Sequence, residues 1–162
     1  MIEILQLILF EYILGYALQA FIIVFGIYTF NRQKIERKKY LLTSIMFAVI
    51  TFLVRQLPIS FGVHTIINML IFIITCIVLL KMPAIKVIRS MSIVFVLLLV
   101  SEMVGMLFAS VMFGNNRIQN IMENSIQRAL LSIPINLIFL LMVTLSNYLL
   151  KKKGDLNRKF SS

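Results

Sequence analysis

Residues 51–75, TFLVRQLPISFGVHTIINMLIFIIT, join two apolar runs through a short polar turn. Pro58 ends the first run, because proline disfavours helix at the preceding residue and has no amide donor. Ser60 is a suitable N-cap for the second run. The stretch therefore predicts two helices joined by a compact turn, with Arg55 and His64 close to that turn.

The chain as a whole is rich in apolar residues. Of its 162 residues, 60% are hydrophobic, and the mean hydropathy is +0.99. Soluble domains carry about 45–50% apolar residues. The excess lies in runs long enough to cross a hydrocarbon core, which takes about 17 residues or more. The runs do not alternate as the strands of an outer-membrane barrel do, so we expect an all-α integral membrane protein.

Five such runs predict a bundle of about five transmembrane helices. The predicted helices cover residues 4–30, 40–57, 61–80, 91–113 and 125–150. They form one domain over residues 1–150, and residues 151–162 form a basic cytoplasmic tail that we expect to be mobile. In the fourth helix, Ser101, Gly105 and Ala109 recur every four residues, which predicts a seam of close helix contact. Pro134 predicts a kink in the fifth.

Lysine and arginine are distributed unequally along the chain. Thirteen lie in the loops after the first and third helices and in the tail, whereas the opposite side has only Arg55, Arg117 and Arg128. Basic loops stay in the cytoplasm, so we expect the N-terminus outside and the C-terminus inside a bacterial cytoplasmic membrane. The segment MIEILQLILF begins with an acid, and we expect no cleaved signal peptide.

Several charged and amide side chains fall within the predicted helices. A charge at the membrane centre costs about 2.5–3.5 kcal/mol, so we expect these groups to face the bundle interior and to pair there. They predict a polar cluster in the outer half, which either binds a ligand or ion or fixes the helix register. The cluster consists of Arg55, His64, Glu102, Glu11, Arg128, Asn136, Asn68 and Gln19.

Catalytic and metal chemistry find little support in the sequence. The single cysteine, Cys76, allows no disulfide or zinc set, and no common catalytic motif is present, so we predict no enzyme activity, metal or cofactor. The order of His64 and Cys76 resembles the membrane cysteine peptidases of the accessory gene regulator B type, which process autoinducing peptides. Twelve residues along one helix separate these two by about 18 Å, too far for a base to activate a thiol.

The run VRQLPISFGVHT at residues 54–65 resembles the membrane input domain of Gram-positive sensor histidine kinases of the GHKL, accessory-gene-regulator-like type. An acid on the fourth helix, Glu102, and the hydropathy of residues 1–150 extend the resemblance. It implies a sensor or regulatory module that binds a small ligand, peptide, ion or lipid and signals to a partner. No phosphoacceptor histidine follows the fifth helix, so we expect a module without a kinase domain.

A sensor module of this kind implies particular partners. These are membrane lipids and another membrane protein, a cytoplasmic kinase or a second copy of the chain. Nucleic acid is not expected despite the net charge of +10, because the aromatic residues lie mostly inside apolar runs. The alternative is a transporter or channel subunit, for which the segment 58–62 and Pro134 would be the helix breaks.

Overall fold

The structure is a computed structural model that describes residues 15–55, 57, 63–114 and 125–159. Within these ranges it describes all side chains except those of residues 55, 63–65, 125, 126, 128, 129 and 153–159. The described chain forms five helices and no strand, which confirms the all-α prediction. The helices are α1 Leu18–Phe30, α2 Arg37–Arg55, α3 Val63–Leu80, α4 Ala84–Phe113 and α5 Ser125–Lys159.

Two helices extend well beyond their predicted boundaries. Helix α4 begins at Ala84 rather than at residue 91, because the Pro83 carbonyl accepts hydrogen bonds from the amides of Lys86 and Val87 at 3.0 and 3.1 Å. Helix α5 continues to Lys159, so residues 151–159 are helical where a mobile tail was predicted. Lysine and arginine are good helix formers, and charge alone therefore does not end either helix.

Helices α1 to α4 form a ring, and α5 lies against α1 and α4. Each ring helix packs on the next, and α4 closes the ring on α1. Helix α1 is apolar on every side and has neighbours on three of them, which is why most of its residues are buried. Its buried residues are Ala20, Ile22, Ile23, Val24, Gly26, Ile27, Tyr28 and Thr29.

Aromatic side chains hold α2 in the ring. The buried rings of Phe47 on α2 and Phe72 on α3 stack with centroids 3.8 Å apart and planes 8° apart. The Tyr40 hydroxyl donates to the Phe21 carbonyl oxygen at 3.0 Å, and the two rings meet edge to face at 5.9 Å. These contacts fix α2 against both of its neighbours.

The contacts also fix the direction of the helices. A Cβ on Gly26 would lie 2.7 Å from Val94 on α4 and 3.7 Å from Val143 on α5, so the three helices meet there. A Cβ on Gly15, eleven residues before Gly26, would lie 3.3 Å from Ser132, eleven residues before Val143, so α5 runs parallel to α1. The α1–α2 and α3–α4 connections and the C-terminal part of α5 therefore share one end.

That shared end, called the basic end below, carries ten exposed basic residues of the described chain. They are Arg32, Lys34, Arg37, Lys38, Lys39, Lys81, Lys86, Arg89, Lys151 and Lys152. The two basic connections and the start of the tail therefore lie at one end of the described bundle, and the side of a membrane that this end faces stays a prediction.

Long apolar surfaces remain uncovered. The segments Ala84–Phe113 and Leu130–Lys152 are both long and apolar enough to cross a membrane, and less than a quarter of the most apolar part of each is buried. Shorter apolar helices cover Gly15–Phe30 and Ile66–Leu80. On α4, Ile85 is 82% and Val111 85% exposed, although both are large apolar side chains.

Candidate functional site

Small and polar residues meet where α1, α4 and α5 come together in the half of the bundle away from the basic end. A Cβ on Gly105 would overlap Ile135 Cγ1, and one on Gly15 would lie 3.3 Å from Ser132 Oγ. Ser101 and Ala109 are buried on either side of Gly105. The predicted seam of close contact on α4 is confirmed.

Asn136 links α5 to α1 at this level. Its side chain is 3% exposed, and its Nδ2 donates to the Gly15 carbonyl oxygen at 3.1 Å. Gly15 belongs to a π-helical turn over residues 15–17. The i→i+5 spacing of such a turn departs from the regular α-helical ladder, and the Gly15 carbonyl there accepts the side-chain donor of Asn136. The residues Gly15, Ser101, Gly105, Ser132 and Asn136 are called the outer junction below.

The backbone of α5 is also irregular beside Asn136. Pro134 lies inside α5 and has no amide hydrogen, so the carbonyl four residues before it loses its helical donor. Two neighbouring helices therefore carry a backbone irregularity at the same level. Such breaks recur at binding sites in membrane bundles, where freed backbone groups meet a ligand.

A second group of polar side chains lies between α2 and α3. The stack of Phe47 on Phe72 puts Thr51, one turn away on α2, level with Asn68 on α3. The hydroxyl of Thr51 donates to the Phe47 carbonyl oxygen at 2.8 Å. Asn68 Oδ1 is buried and accepts no hydrogen bond from the described residues. That oxygen is an acceptor directed into the bundle.

Glu102 is exposed on α4, where the prediction had it facing the interior. Ser101 and Gly105 take the interior positions, and the next residue along a helix is turned by about 100°. The carboxylate is not isolated, because Glu102 has an interaction partner. Its membership of a ligand-binding cluster stays a prediction.

The other predicted site residues fall into two groups. Gln19 and Asn68 are half-buried on α1 and α3, and Asn136 is buried at the outer junction. Glu11 lies outside the described residues. The backbones of Arg55, His64 and Arg128 lie at the end of α2 and in the first turns of α3 and α5, and their side chains lie outside the described part.

Residues at the basic end form a polar contact that the sequence did not predict. Asn31 Nδ2 donates to Ser90 Oγ at 3.1 Å and to Met82 Sδ at 3.4 Å. Ser90 Oγ in turn donates to the Val87 carbonyl oxygen at 3.0 Å. The three residues come from separate segments, so no local spacing marks them. The contact ties the α1–α2 connection to the start of α4.

Two basic residues take a left-handed backbone conformation at this end. Arg32 and Lys81, just past the ends of α1 and α3, both have φ of 51°. After α1, the amide of Gln33 donates to the Tyr28 carbonyl at 3.2 Å and that of Arg32 to the Thr29 carbonyl at 3.1 Å. This pair of bonds is the Schellman motif, in which glycine is the usual residue at the left-handed position.

The thiol of Cys76 has no catalytic setting in the described residues. Cys76 is fully buried on α3, and α3 is continuous from Val63 to Leu80. Its backbone and that of His64 are therefore about 18 Å apart along the helix axis. Within the described part of the chain, no three histidine, cysteine or acidic side chains are grouped to hold a metal ion.

Comparisons with known proteins give no relative for this arrangement. No family model, no curated protein and no solved structure matches the chain.

Proposed function

We propose that the chain is a multi-pass protein of the bacterial cytoplasmic membrane that acts as a sensor or regulatory input module. The uncovered apolar faces of α4 and α5, where Val111 is 85% and Leu141 65% exposed, support the location. Monomeric soluble proteins rarely expose apolar patches beyond a few hundred Å². The ten exposed basic residues at one end suit the cytoplasmic side.

The outer junction is the proposed ligand-sensing part. The observation that carries this proposal is the hydrogen bond from buried Asn136 to the Gly15 carbonyl, beside Pro134 and a π-helical turn. A small ligand, peptide, ion or lipid group that offers its own donor or acceptor competes for this bond. Binding would then favour one of two arrangements of α1 and α5, which any signal requires.

Helix α5 is the proposed output. It runs without interruption from the level of Asn136 to Lys159 at the basic end, so a shift at the junction moves the basic end. The resemblance of residues 54–65 to sensor-kinase input domains agrees with this role. The partner is another membrane protein, a cytoplasmic kinase or a second copy of the chain.

The experiment compares ligand response in two variants of α5 in lipid nanodiscs. Fractions of the host's spent culture medium are added, and the melting temperature is measured for the parent chain, Asn136→Leu and Asn147→Leu. Asn147 is a half-buried control on the same helix, away from the junction. A saturating ligand at about 100 times its Kd adds about 2.7 kcal/mol, or about 5–10 °C.

We expect one fraction to raise the melting temperature of the parent chain and of Asn147→Leu but not of Asn136→Leu. An equal rise in all three chains, or no rise with any fraction, would contradict the proposed sensing site.

A transporter or channel subunit is the second candidate, and the paired irregularities at residues 15–17 and Pro134 favour it. Transporters build their binding sites from interrupted helices near the membrane midplane. Flux assays in liposomes separate the two candidates. Solute flux that Asn136→Leu abolishes would support transport, whereas a response of melting temperature without flux would support sensing.

A further inference from the structure

Three basic residues are brought together at the basic end by the contact of Asn31 with Met82 and Ser90. Met82 and Ser90 are 2% and 1% exposed, so the contact is part of the packed interior. Consecutive Cα atoms are 3.8 Å apart, and each of the three contacting residues has a basic neighbour in the chain. The basic neighbours are Arg32, Lys81 and Arg89.

These three basic side chains are all exposed and belong to three different segments. Arg32 and Lys81 lie just after the ends of α1 and α3 and have the left-handed backbone conformation. Arg89 lies in the second turn of α4. Because their neighbours touch, the long side chains can reach a common point beyond the end of the bundle.

One acidic side chain is described at this end, and it is paired with a lysine outside this group of three. Glu36 lies in the α1–α2 connection, and its Oε2 is 2.7 Å from Lys39 Nζ. The Glu36 carboxylate is therefore paired with Lys39 and not with one of the three basic residues. Arg32, Lys81 and Arg89 therefore present positive charge to the surroundings.

We propose that Arg32, Lys81 and Arg89 bind the phosphate group of an anionic lipid headgroup in the leaflet at the basic end. Guanidinium groups match phosphate oxygens with two parallel hydrogen bonds, and the lysine adds a point charge. A lipid is the occupant that fits, because the site lies where two apolar helices, α1 and α4, end and begin. The packed Asn31 contact holds the basic residues in place before the lipid arrives.

This inference rests on the membrane location in the proposed function, and the two are tested separately. Alkaline carbonate extraction of membranes tests the location alone. A chain that stays in the pellet but shows no selective lipid binding would overturn only the lipid site. A chain released into the supernatant would overturn the location and the lipid site together.

The main test uses nanodiscs of phosphatidylcholine with a minority of phosphatidylglycerol, followed by native mass spectrometry. The site variant is Arg32→Gln/Lys81→Gln/Arg89→Gln. The matched control, Lys34→Gln/Lys38→Gln/Lys152→Gln, removes the same charge from other exposed positions at the same end. The readout is the fraction of chains that keep one phosphatidylglycerol as the collision energy in the mass spectrometer is raised.

We expect the parent chain and the control to keep one phosphatidylglycerol, and the site variant to lose it. The loss is about tenfold or more, since one charge-assisted hydrogen bond contributes roughly that factor. Equal retention in the two triple variants, or no retention by the parent chain, would overturn the proposal.

Two further arms keep the test independent of folding and of free phosphate. The variant Arg32→Lys/Arg89→Lys keeps the charge but removes the paired guanidinium bonds, so we expect retention several-fold below that of the parent. Unchanged retention would contradict the guanidinium contacts. Inorganic phosphate added to pure phosphatidylcholine nanodiscs should not raise the melting temperature. A rise in the melting temperature of the parent chain with inorganic phosphate would overturn the lipid as the source.

Discussion

Arg32 and Lys81 hold a backbone conformation that glycine adopts at far lower cost. The left-handed region costs a residue with a Cβ about 1–2 kcal/mol. Both residues follow a helix C-terminus, where a positive charge interacts favourably with the helix dipole. In the proposed lipid site both also supply charge to the headgroup. The dipole interaction offsets part of the left-handed strain at both positions.

Lys81→Gly should therefore stabilise the isolated chain. Glycine removes the left-handed strain, and we expect a gain of about 0.5–1 kcal/mol in the free energy of unfolding. Denaturant unfolding in detergent measures it. The matched control is Lys86→Gly, the same change of charge inside the first turn of α4, which should lose about 1 kcal/mol. A loss of stability in Lys81→Gly would show that the lysine charge outweighs the strain.

At the scale of the helices, glycine sets the distance between α4 and α5. A Cβ on Gly105 would overlap Ile135, and the neighbouring seam positions Ser101 and Ala109 are also small and buried. Without a hydrophobic driving force inside hydrocarbon, helices associate through such close packing. The α4–α5 contact therefore depends on the absence of a side chain at position 105.

Gly105→Ala should lower the free energy of unfolding by about 1–3 kcal/mol through overpacking against Ile135. Ile135→Ala removes the clashing atoms and leaves a cavity of its own. We expect the double variant to be less destabilised than the two single changes combined, by about 1 kcal/mol or more. Additive effects would mean that Gly105 and Ile135 do not meet as described. Thermal unfolding of the three variants in detergent provides the comparison.

The sequence predicted the helices better than the positions of single side chains. Long apolar runs and Pro58 predicted the five helices of the described chain and their order, and the four-residue spacing predicted the seam through Gly105. The start of α4 was not predicted, because a helix segment with charged residues on its exposed face has a sequence like that of a loop. The exposure of Glu102 was not predicted, because it depends on how α4 is rotated about its axis against α1 and α5. The spacing of residues along α4 does not determine that rotation.

The candidate site could be predicted only in part, for the same reason. Asn136 follows from its spacing on α5, whereas its partner, the Gly15 carbonyl, depends on a π-helical turn in another helix. The contact of Asn31 with Ser90 joins residues far apart in the chain. Such contacts arise from the packing of the ring, and composition and periodicity do not predict them.

For the molecule as a whole, the central feature is the difference between its two ends. A four-helix ring with α5 alongside has exposed apolar faces, ten basic residues at one end and the outer junction in the other half. The proposed location in a cytoplasmic membrane would account for all three features, since lipid would cover the apolar faces and basic residues stay inside. The proposed sensing and lipid sites both depend on that orientation.

Cysteine labelling in intact cells tests this orientation most directly. Cys76 is the single cysteine, so Cys76→Ser supplies a background without thiols. Lys34→Cys then marks the basic end, and Phe113→Cys marks the opposite end of α4. With a membrane-impermeant maleimide, Phe113→Cys should react in intact cells and Lys34→Cys only after permeabilisation. Labelling of Lys34→Cys in intact cells, or of neither site before permeabilisation, would contradict the account.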